Sequence, residues 1–308
     1  MKSKFFVFGL MLISVLVMGC GPSYQEQKRI SKAEQDRLRA QNDSALKIAV
    51  LPTLDCLPMF IANEDSLFAV SGEDIRLKYF TAQMDCDTAL AGGSVEGSIS
   101  DLVRAQQLMS KGTPLDLKIA TSTYWQLITS RTARIKELKQ LDDKMVAMTN
   151  FSATDMLSDK AVKEGKLKSE RVFRIPVNDV LVRLNMLQNK EMDAMFLTEP
   201  QATAARIMKH RVLTDSRQQD LQLGVIVFRT KGMKVTYRQQ QMAAFCKAYN
   251  QACDSITRYG FKHYSKLIQK YCKVAPNVVD SLPSTIKYSH IQGPRQKDVA
   301  AAAQWLRH

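Results

Sequence analysis

The chain is poor in the residues on which most catalytic and metal chemistry rests. Its four histidines, His210, His263, His290 and His308, all fall outside the loops that follow an expected strand. Its six cysteines form no CxxC pair and have no histidine close beside one, so neither zinc nor any other metal is expected. Lysine and arginine are scattered, with no run longer than two outside mixed helical stretches such as Arg131-Thr132-Ala133-Arg134-Ile135-Lys136. There is no internal repeat and no low-complexity tract. Beyond the N-terminus no apolar run approaches the roughly 20 residues of a spanning helix. No cofactor is expected.

What the chain does have begins at its N-terminus. Lys2 and Lys4 precede an apolar stretch from Phe5 to Met18, 14 residues long, followed by Gly19 and Cys20. A positive start, a short apolar core and a small residue are the parts of a secretory signal peptide. Cysteine directly after the small residue resembles the lipobox of bacterial lipoproteins. That resemblance implies removal of residues 1–19 and lipidation of Cys20, with the mature protein held in the cell envelope on a bacterial membrane, facing periplasm or exterior. Such a compartment excludes most nucleotide-dependent and nucleic-acid chemistry. Loss of Lys2 and Lys4 lowers the net charge from +14 to +12, which reads as a solvated basic surface near an anionic membrane. Residues 20–45 are polar and read as a flexible tether, with at most a transient helix in Glu26–Ala40.

Order is expected from Leu46 onward, and at 45% hydrophobic residues the remainder can build two packed lobes. Lys47–Leu51 reads as a strand and Pro58–Ser66 as a helix. Ile75–Phe80 alternates as a second strand, with Asp87 or Thr88 capping the helix that stops at Gly92-Gly93. Glu96–Ser100 is a third strand, Asp101 opens another helix, and Leu115–Ala120 is a fourth strand. The pattern restarts with strand Lys144–Met148, a helix capped near Ser152, strand Val172–Val177, helix Asn178–Gln188 and strand Met192–Leu197. Leu223–Arg229 is a strand, residues 239–272 are helical, and Asp298–Leu306 closes the chain. Alternation of strand and helix points to α/β architecture with mostly parallel sheets.

Four stretches carry a further resemblance: Leu46–Phe68, Ala89-Leu90-Ala91-Gly92-Gly93-Ser94-Val95-Glu96-Gly97, Glu191-Met192-Asp193-Ala194 with Glu199-Pro200, and Leu282-Pro283 to Trp305-Leu306. In order and spacing they resemble the type II periplasmic-binding-protein fold, in particular the nitrate/taurine/thiamine-precursor (NMT1-like) group of ABC-importer binding proteins. Glu96 and Gly97 depart mildly from that group, which has aspartate and a small apolar residue there. The loops Asp55-Cys56-Leu57-Pro58 and Met84-Asp85-Cys86-Asp87 are not general features of it. The resemblance implies two lobes, each a mostly parallel sheet flanked by helices: residues 46–121 plus 221–308, and an inserted 122–220. Hinges would lie near Thr121–Trp125 and Leu221–Val225.

In such a fold ligands sit at the carboxyl ends of strands beside helix N-termini. The candidate ligand-binding residues are therefore Thr53, Asp55, Asp85, Ser100 and Asp101 from one lobe, with Asn150, Ser152, Thr154 and Glu199 from the other. Tyr124 and Trp125 at the crossover are candidates to stack on a planar ligand. Hydroxyls, amides and helix N–H groups suit an oxygen-rich ligand, while the carboxylates of Asp55, Asp85, Asp101 and Glu199 suit an amine; the balance leans slightly to an amine-bearing planar molecule such as a pyrimidine. For Asp55, Asp87, Asp101 and Glu199 the competing reading is helix capping. Cys56 and Cys86 follow strands that neighbour each other in this fold, so they form a candidate disulfide, the alternative being two packed thiols. Cys253 could pair with Cys272, leaving Cys246 over.

The expected function is a lipid-anchored substrate-binding protein of an ABC importer. It would capture a small molecule (a pyrimidine or thiamine precursor, a sulfonate or similar) and deliver it to a permease, as a monomer and without catalysis. The alternatives are a surface lipoprotein that uses the fold for protein contacts, and an enzyme on the same fold.

Overall fold

The computed structural model describes residues 24–307. The expected signal peptide and Cys20 lie outside the described residues. The chain divides after Ala45 into two units. The first holds one helix, α1 (Tyr24–Ser44), 21 residues long. The helix extends beyond the Glu26–Ala40 stretch expected to be transiently helical within the tether. The segment contains neither glycine nor proline and is rich in Gln, Lys, Arg, Glu and Ala, which lose little rotamer freedom in a helix. Glu34 and Arg37 pair at i,i+3 on its surface.

The second unit starts with β1 (Leu46–Val50), then α2 (Leu57–Glu64), α3 (Leu67–Val70), β2 (Ile75–Tyr79), α4 (Gln83–Gly92), β3 (Gly97–Asp101), α5 (Leu102–Ser110) and β4 (Leu115–Ala120). The chain then enters a second sheet through β5 (Gln126–Thr129) and β6 (Lys144–Met148), followed by α6 (Ala153–Glu164), β7 (Val172–Pro176), α7 (Val180–Gln188), β8 (Ala194–Leu197), α8 (Gln201–Ile207) and β9 (Arg211–Asp215). It returns to the first sheet with β10 (Gly224–Arg229), and α9 (Thr236–His263), α10 (Ser265–Cys272), α11 (Pro276–Asp280) and α12 (Gln296–Trp305) complete it. Within α9, Gly260 sits at φ +71°, a break that a residue with a Cβ would resist.

The two five-stranded sheets have the same plan. Their orders are β2-β1-β3-β10-β4 and β7-β6-β8-β5-β9. In the first, β1 runs parallel to β2 and β3, and β10 opposes β3 and β4. In the second, β6 runs parallel to β7 and β8, and β5 opposes β8 and β9. Four strands of each sheet thus point one way, and their C-terminal ends open to the same side. β1 is buried along its whole length, as a central strand covered by helices on both faces should be.

Phe60, Phe228 and Phe245 are among the largest side chains fully buried in the core, and Phe228 meets Phe245 edge-to-face at 5.4 Å. A second apolar cluster gathers Ile128, Leu187, Met195 and Leu197. The crossover segments are 121–125 and 216–223. They pack closely: Thr121 N–H donates to Gly224 O at 3.0 Å, and a Cβ on Gly224 would collide with the side chains of Thr121 and Thr123. Glycine there lets the outgoing and returning strands touch.

One expected cap is corrected. α4 starts at Gln83 with Ala82 as its N-cap, so Asp87 and Thr88 lie inside the helix. Asp87 is instead ion-paired with Arg104 of α5, both side chains being buried.

Candidate functional site

On the first-sheet side, β1 runs into a short 3-10 turn, Leu54–Cys56, which carries Asp55 inward. Asp55 is 8% exposed, and its Oδ1 has no hydrogen-bond partner. Burial raises its pKa, opposed by the hydroxyls of Thr53 and Thr123. At the end of β3, Asp101 caps α5 by accepting from Arg104 N–H at 3.0 Å. Burial pushes the Asp101 carboxyl up to about 6, while hydrogen bonds from the N–H groups of Arg104 and Ala153 and the charge of Arg104 hold it lower than it would otherwise lie. Gln83, the first residue of α4, is pinned by a 3.1 Å bond to Ile99 O.

On the second-sheet side, β6 leads into a tight polar corner. Ser152 caps α6 by accepting from Thr154 N–H at 3.1 Å and donates to Thr149 O at 2.7 Å. Thr149 N–H donates to Thr154 Oγ1 at 2.9 Å. Facing this corner is Arg183 of α7, 4% exposed. Its Nε donates to Val177 O (2.6 Å) and its Nη1 to Phe196 O (3.1 Å), while Nη2 donates to Thr149 Oγ1. Among the described residues no carboxylate forms a salt bridge with it. Burial pulls its pKa down to about 10, with Asp179 opposing, so it remains charged at neutral pH.

These groups surround one cavity of about 50 Å³. Of the residues singled out from sequence, Thr53, Asp55, Ser100, Asp101, Trp125, Ser152 and Thr154 line it. Four others are placed elsewhere. Asp85 is exposed and lines a neighbouring groove beside Tyr79 and Tyr271. Asn150 is exposed and contributes its backbone carbonyl, which accepts from Arg104 Nη1 at 2.9 Å. Tyr124 turns one face of its ring under the Arg217 guanidinium, 3.6 Å from its centroid, and lines adjoining cavities rather than this one. Its hydroxyl donates to Glu199 Oε1 at 3.1 Å.

Glu199 is fully occupied. Its Oε1 also accepts from Gln126 Nε2 (2.9 Å) and Arg206 Nη2 (2.8 Å), and its Oε2 from Thr203 N–H (3.0 Å) and Thr203 Oγ1 (2.6 Å). The Glu199-Pro200 peptide is cis. Both carboxylate oxygens serve the scaffold around the start of α8, and Glu199 does not line the cavity that holds Asp55 and Arg183.

Cys56 and Cys86 are free thiols, which corrects the cross-link expected between them. The Cys56 sulfur instead accepts from Leu51 N–H at 3.4 Å. Both are buried, and burial raises both thiol pKa values. Cys246, Cys253 and Cys272 are also free.

Arg183, Thr123 and Asn178 line the cavity without having been singled out from sequence. The available signal for Arg183 was its setting: one charge within the otherwise apolar Val180-Leu181-Val182-Arg183-Leu184. Among the described residues no group of three or more His, Cys, Asp or Glu could hold a metal ion, and no histidine lines the cavity.

Comparison with known proteins follows from this geometry. The alkanesulfonate-binding protein SsuA of Xanthomonas axonopodis pv. citri, solved bound to MOPS, superposes with a TM-score of 0.72 at 15% identity, covering 84% of this chain and 90% of that one. The periplasmic aliphatic sulphonate binding protein SsuA of Escherichia coli gives 0.69 at 16% identity, covering 86% and 87%. The periplasmic nitrate-binding protein NrtA of Synechocystis PCC 6803 gives 0.66 at 14%, covering 82% and 74%. At such identities the likeness shows the fold, that of periplasmic binding proteins. No curated protein matches the chain. The profile of the NMT1-like family matches residues 39–269, and the chain belongs to the NMT1-like family.

Proposed function

We propose that the protein is the lipid-anchored substrate-binding component of an ABC importer, capturing a small oxyanion-bearing molecule, of the sulfonate kind, between its two sheets. The observation that carries this reading is the convergence of polar side chains from the strand ends of both sheets on one buried cavity. Arg183 and the hydroxyls at the α6 N-terminus suit an oxyanion, and the structural neighbours bind sulfonates and nitrate by their titles.

In this reading residues 46–121 with 221–308 form one lobe and 122–220 the other, with the crossover segments as hinges. Closure buries the ligand and presents the surface that the permease meets. The chain acts as a monomer on the outer side of a bacterial membrane, held by lipid on Cys20. Binding alone accounts for the site: among the described residues no histidine lines the cavity, and His210 and His290 are engaged elsewhere, with Arg131 N–H and Asp254.

Native mass spectrometry of the purified full chain tests the binding reading. A small molecule released on denaturation supports it, and a chain that carries none and gains no thermal stability from any small oxyanion argues for a protein-contact lipoprotein. Fatty-acid labelling that is equal in wild type and Cys20→Ala would reject the anchor.

A further inference from the structure

We infer that the pocket at the crossover segments is a second anion site, taking a small phosphate- or carboxylate-bearing molecule on Arg217 and Lys287. It is separate from the cavity between the sheets, which Arg183 lines.

The pocket encloses about 310 Å³, inside the roughly 300–1,000 Å³ range of small-molecule sites. Its walls come from three stretches distant in sequence. Tyr124 lies on the outgoing crossover, Arg217 and Asp220 on the returning one, and Lys287 and Arg295 near the C-terminus. Hydrogen bonds frame it. The Ser122 hydroxyl donates to Lys287 O, and Arg295 Nη2 donates to Asp220 O at 2.8 Å.

Arg217 is held in place before any ligand arrives. Its guanidinium lies 3.6 Å from the centroid of the Tyr124 ring, and its Nη2 donates to Asp215 Oδ2 at 3.0 Å. Tyr124 is itself fixed by the bond from its hydroxyl to Glu199. Arg217 Nε and Nη1 have no hydrogen-bond partner among the described residues. A stacked, charge-anchored guanidinium with unused N–H donors needs little further ordering to grip an oxyanion.

Charge balance gives the sign of the ligand. Asp215, Asp220 and Asp298 each pair with an arginine or a lysine. Counting the lining groups and their ion-pair partners, four cations (Arg217, Lys287, Arg295 and Lys297) meet these three carboxylates. Lys287 is the one without an ion pair among the described residues. An anion completes this set, whereas a cation meets a positive surplus.

The position gives the anion a consequence. Arg217 follows β9 of the second sheet by two residues. Lys287 lies in the segment that reaches β4 of the first sheet, where Ala120 N–H donates to Gln292 O at 2.8 Å. A molecule held by both ties the two sheets together across the crossovers. Only this effect rests on the hinge reading above: the anion shifts an open–closed balance to the extent that it prefers one arrangement.

Titration calorimetry of the detergent-solubilised full chain with inorganic phosphate and with citrate, at one ionic strength, tests the site and separates a phosphate from a carboxylate source. The expected result is one anion per chain whose Kd rises at least about tenfold in Arg217→Gln and in Lys287→Gln, as loss of a charge-assisted bond implies. That binding persists in Arg183→Gln. Lys287 is exposed and unpaired, so its replacement keeps the test open even if Arg217→Gln impairs folding. Replacing two exposed lysines elsewhere, Lys163→Gln with Lys168→Gln, should spare the affinity. An equal loss in that pair marks general attraction to a basic surface and overturns the proposal. Binding lost in Arg183→Gln but kept in Lys287→Gln places the anion between the sheets, which overturns the crossover site and supports the binding reading. No binding of either probe overturns the crossover site and leaves the binding reading to its own co-purification test.

Discussion

The guanidinium of Arg104, on α5, donates to the carbonyl of Asn150 at 2.9 Å while ion-paired to Asp87 on α4. One side chain thus joins two helices of the first sheet to the loop after β6 in the second. It is not alone in bridging them. Val180 N–H donates to Thr81 O at 3.1 Å, and Leu54 N–H to Glu199 O at 2.9 Å. The Thr81 hydroxyl donates to Asp179, which also caps α7 through Leu181 and Val182 N–H. These bonds keep the strand ends of the two sheets against one another around the cavity.

Arg104→Met should lower stability by about 3–5 kcal/mol, because it leaves the Asp87 carboxylate buried and unpaired. The side chains are only 7% and 5% exposed, so solvent cannot compensate. Arg104→Met with Asp87→Leu should recover most of the loss, since an apolar pair carries no desolvated charge. Urea denaturation of both variants measures this. A double variant as unstable as the single one would show that the ion pair itself holds the helices.

For Glu199 the expectation is lost stability with affinity spared. Glu199→Gln weakens a charge-assisted network that includes Arg206 Nη2 at 2.8 Å. Hydrogen bonds to charged groups contribute roughly 1.5–3 kcal/mol each, and a partly exposed Arg206 puts the effect toward the lower end. Thermal unfolding and calorimetry on one variant separate the outcomes. Weakened binding with an unchanged melting temperature would place Glu199 in the ligand shell after all.

The Asp101 carboxyl couples stability to pH. Its folded pKa is raised by burial to about 6, above the ordinary value near 3.9, so the folded state holds this proton more tightly than the unfolded chain does. Stability from this group is therefore fully present below about pH 4 and is lost as pH rises toward 6, at about 1.4 kcal/mol per unit. Asp101→Asn keeps an N-cap acceptor and removes the titration. Relative to wild type, the variant should gain stability between pH 4.5 and pH 7 in urea unfolding. Parallel curves for the two proteins would show that Asp101 stays ionised throughout.

The thiols give a direct chemical readout. Cys56, Cys86 and Cys272 are fully buried, and burial raises the pKa of each, which suppresses the reactive thiolate. Native protein treated with iodoacetamide should be modified chiefly at half-buried Cys246. Denatured without reductant, the chain should become alkylated at Cys56 and Cys86 alike. A peptide map that recovers those two as a linked pair would restore the cross-link.

Much of the backbone plan was legible in the chain. Leu115–Ala120 and Lys144–Met148 read as strands and occupy those residues. Asp101 and Ser152 read as caps and accept from Arg104 and Thr154 N–H. Such features are local: a run of apolar residues or a short polar side chain before a helix acts on neighbours three or four positions away. β5 and β9 were not legible, because four or five residues such as Gln126-Leu127-Ile128-Thr129 carry too little pattern, and what makes them strands is the partner sheet. α1 was read as a tether because its side chains cannot build a core, whereas helix propensity over 21 residues depends on a different property.

What the sequence by itself determined is therefore the order of strands and helices, and with it the set of loops that meet at the strand ends. Which side chains in those loops remain available was decided only by tertiary structure. Asp87, Asp101 and Glu199 are carboxylates that the sequence offered alike as helix caps. Yet Asp87 is neutralised by an arginine 17 positions away, Asp101 closes a helix, and Glu199 is surrounded by five donor contacts from four residues. Of these three and Asp55, Asp55 alone has a buried carboxylate oxygen, Oδ1, without a hydrogen-bond partner among the described residues. The difference is long-range: a carboxylate is available or engaged according to which donors the folded chain brings within about 3 Å, and no spacing along the chain encodes that distance.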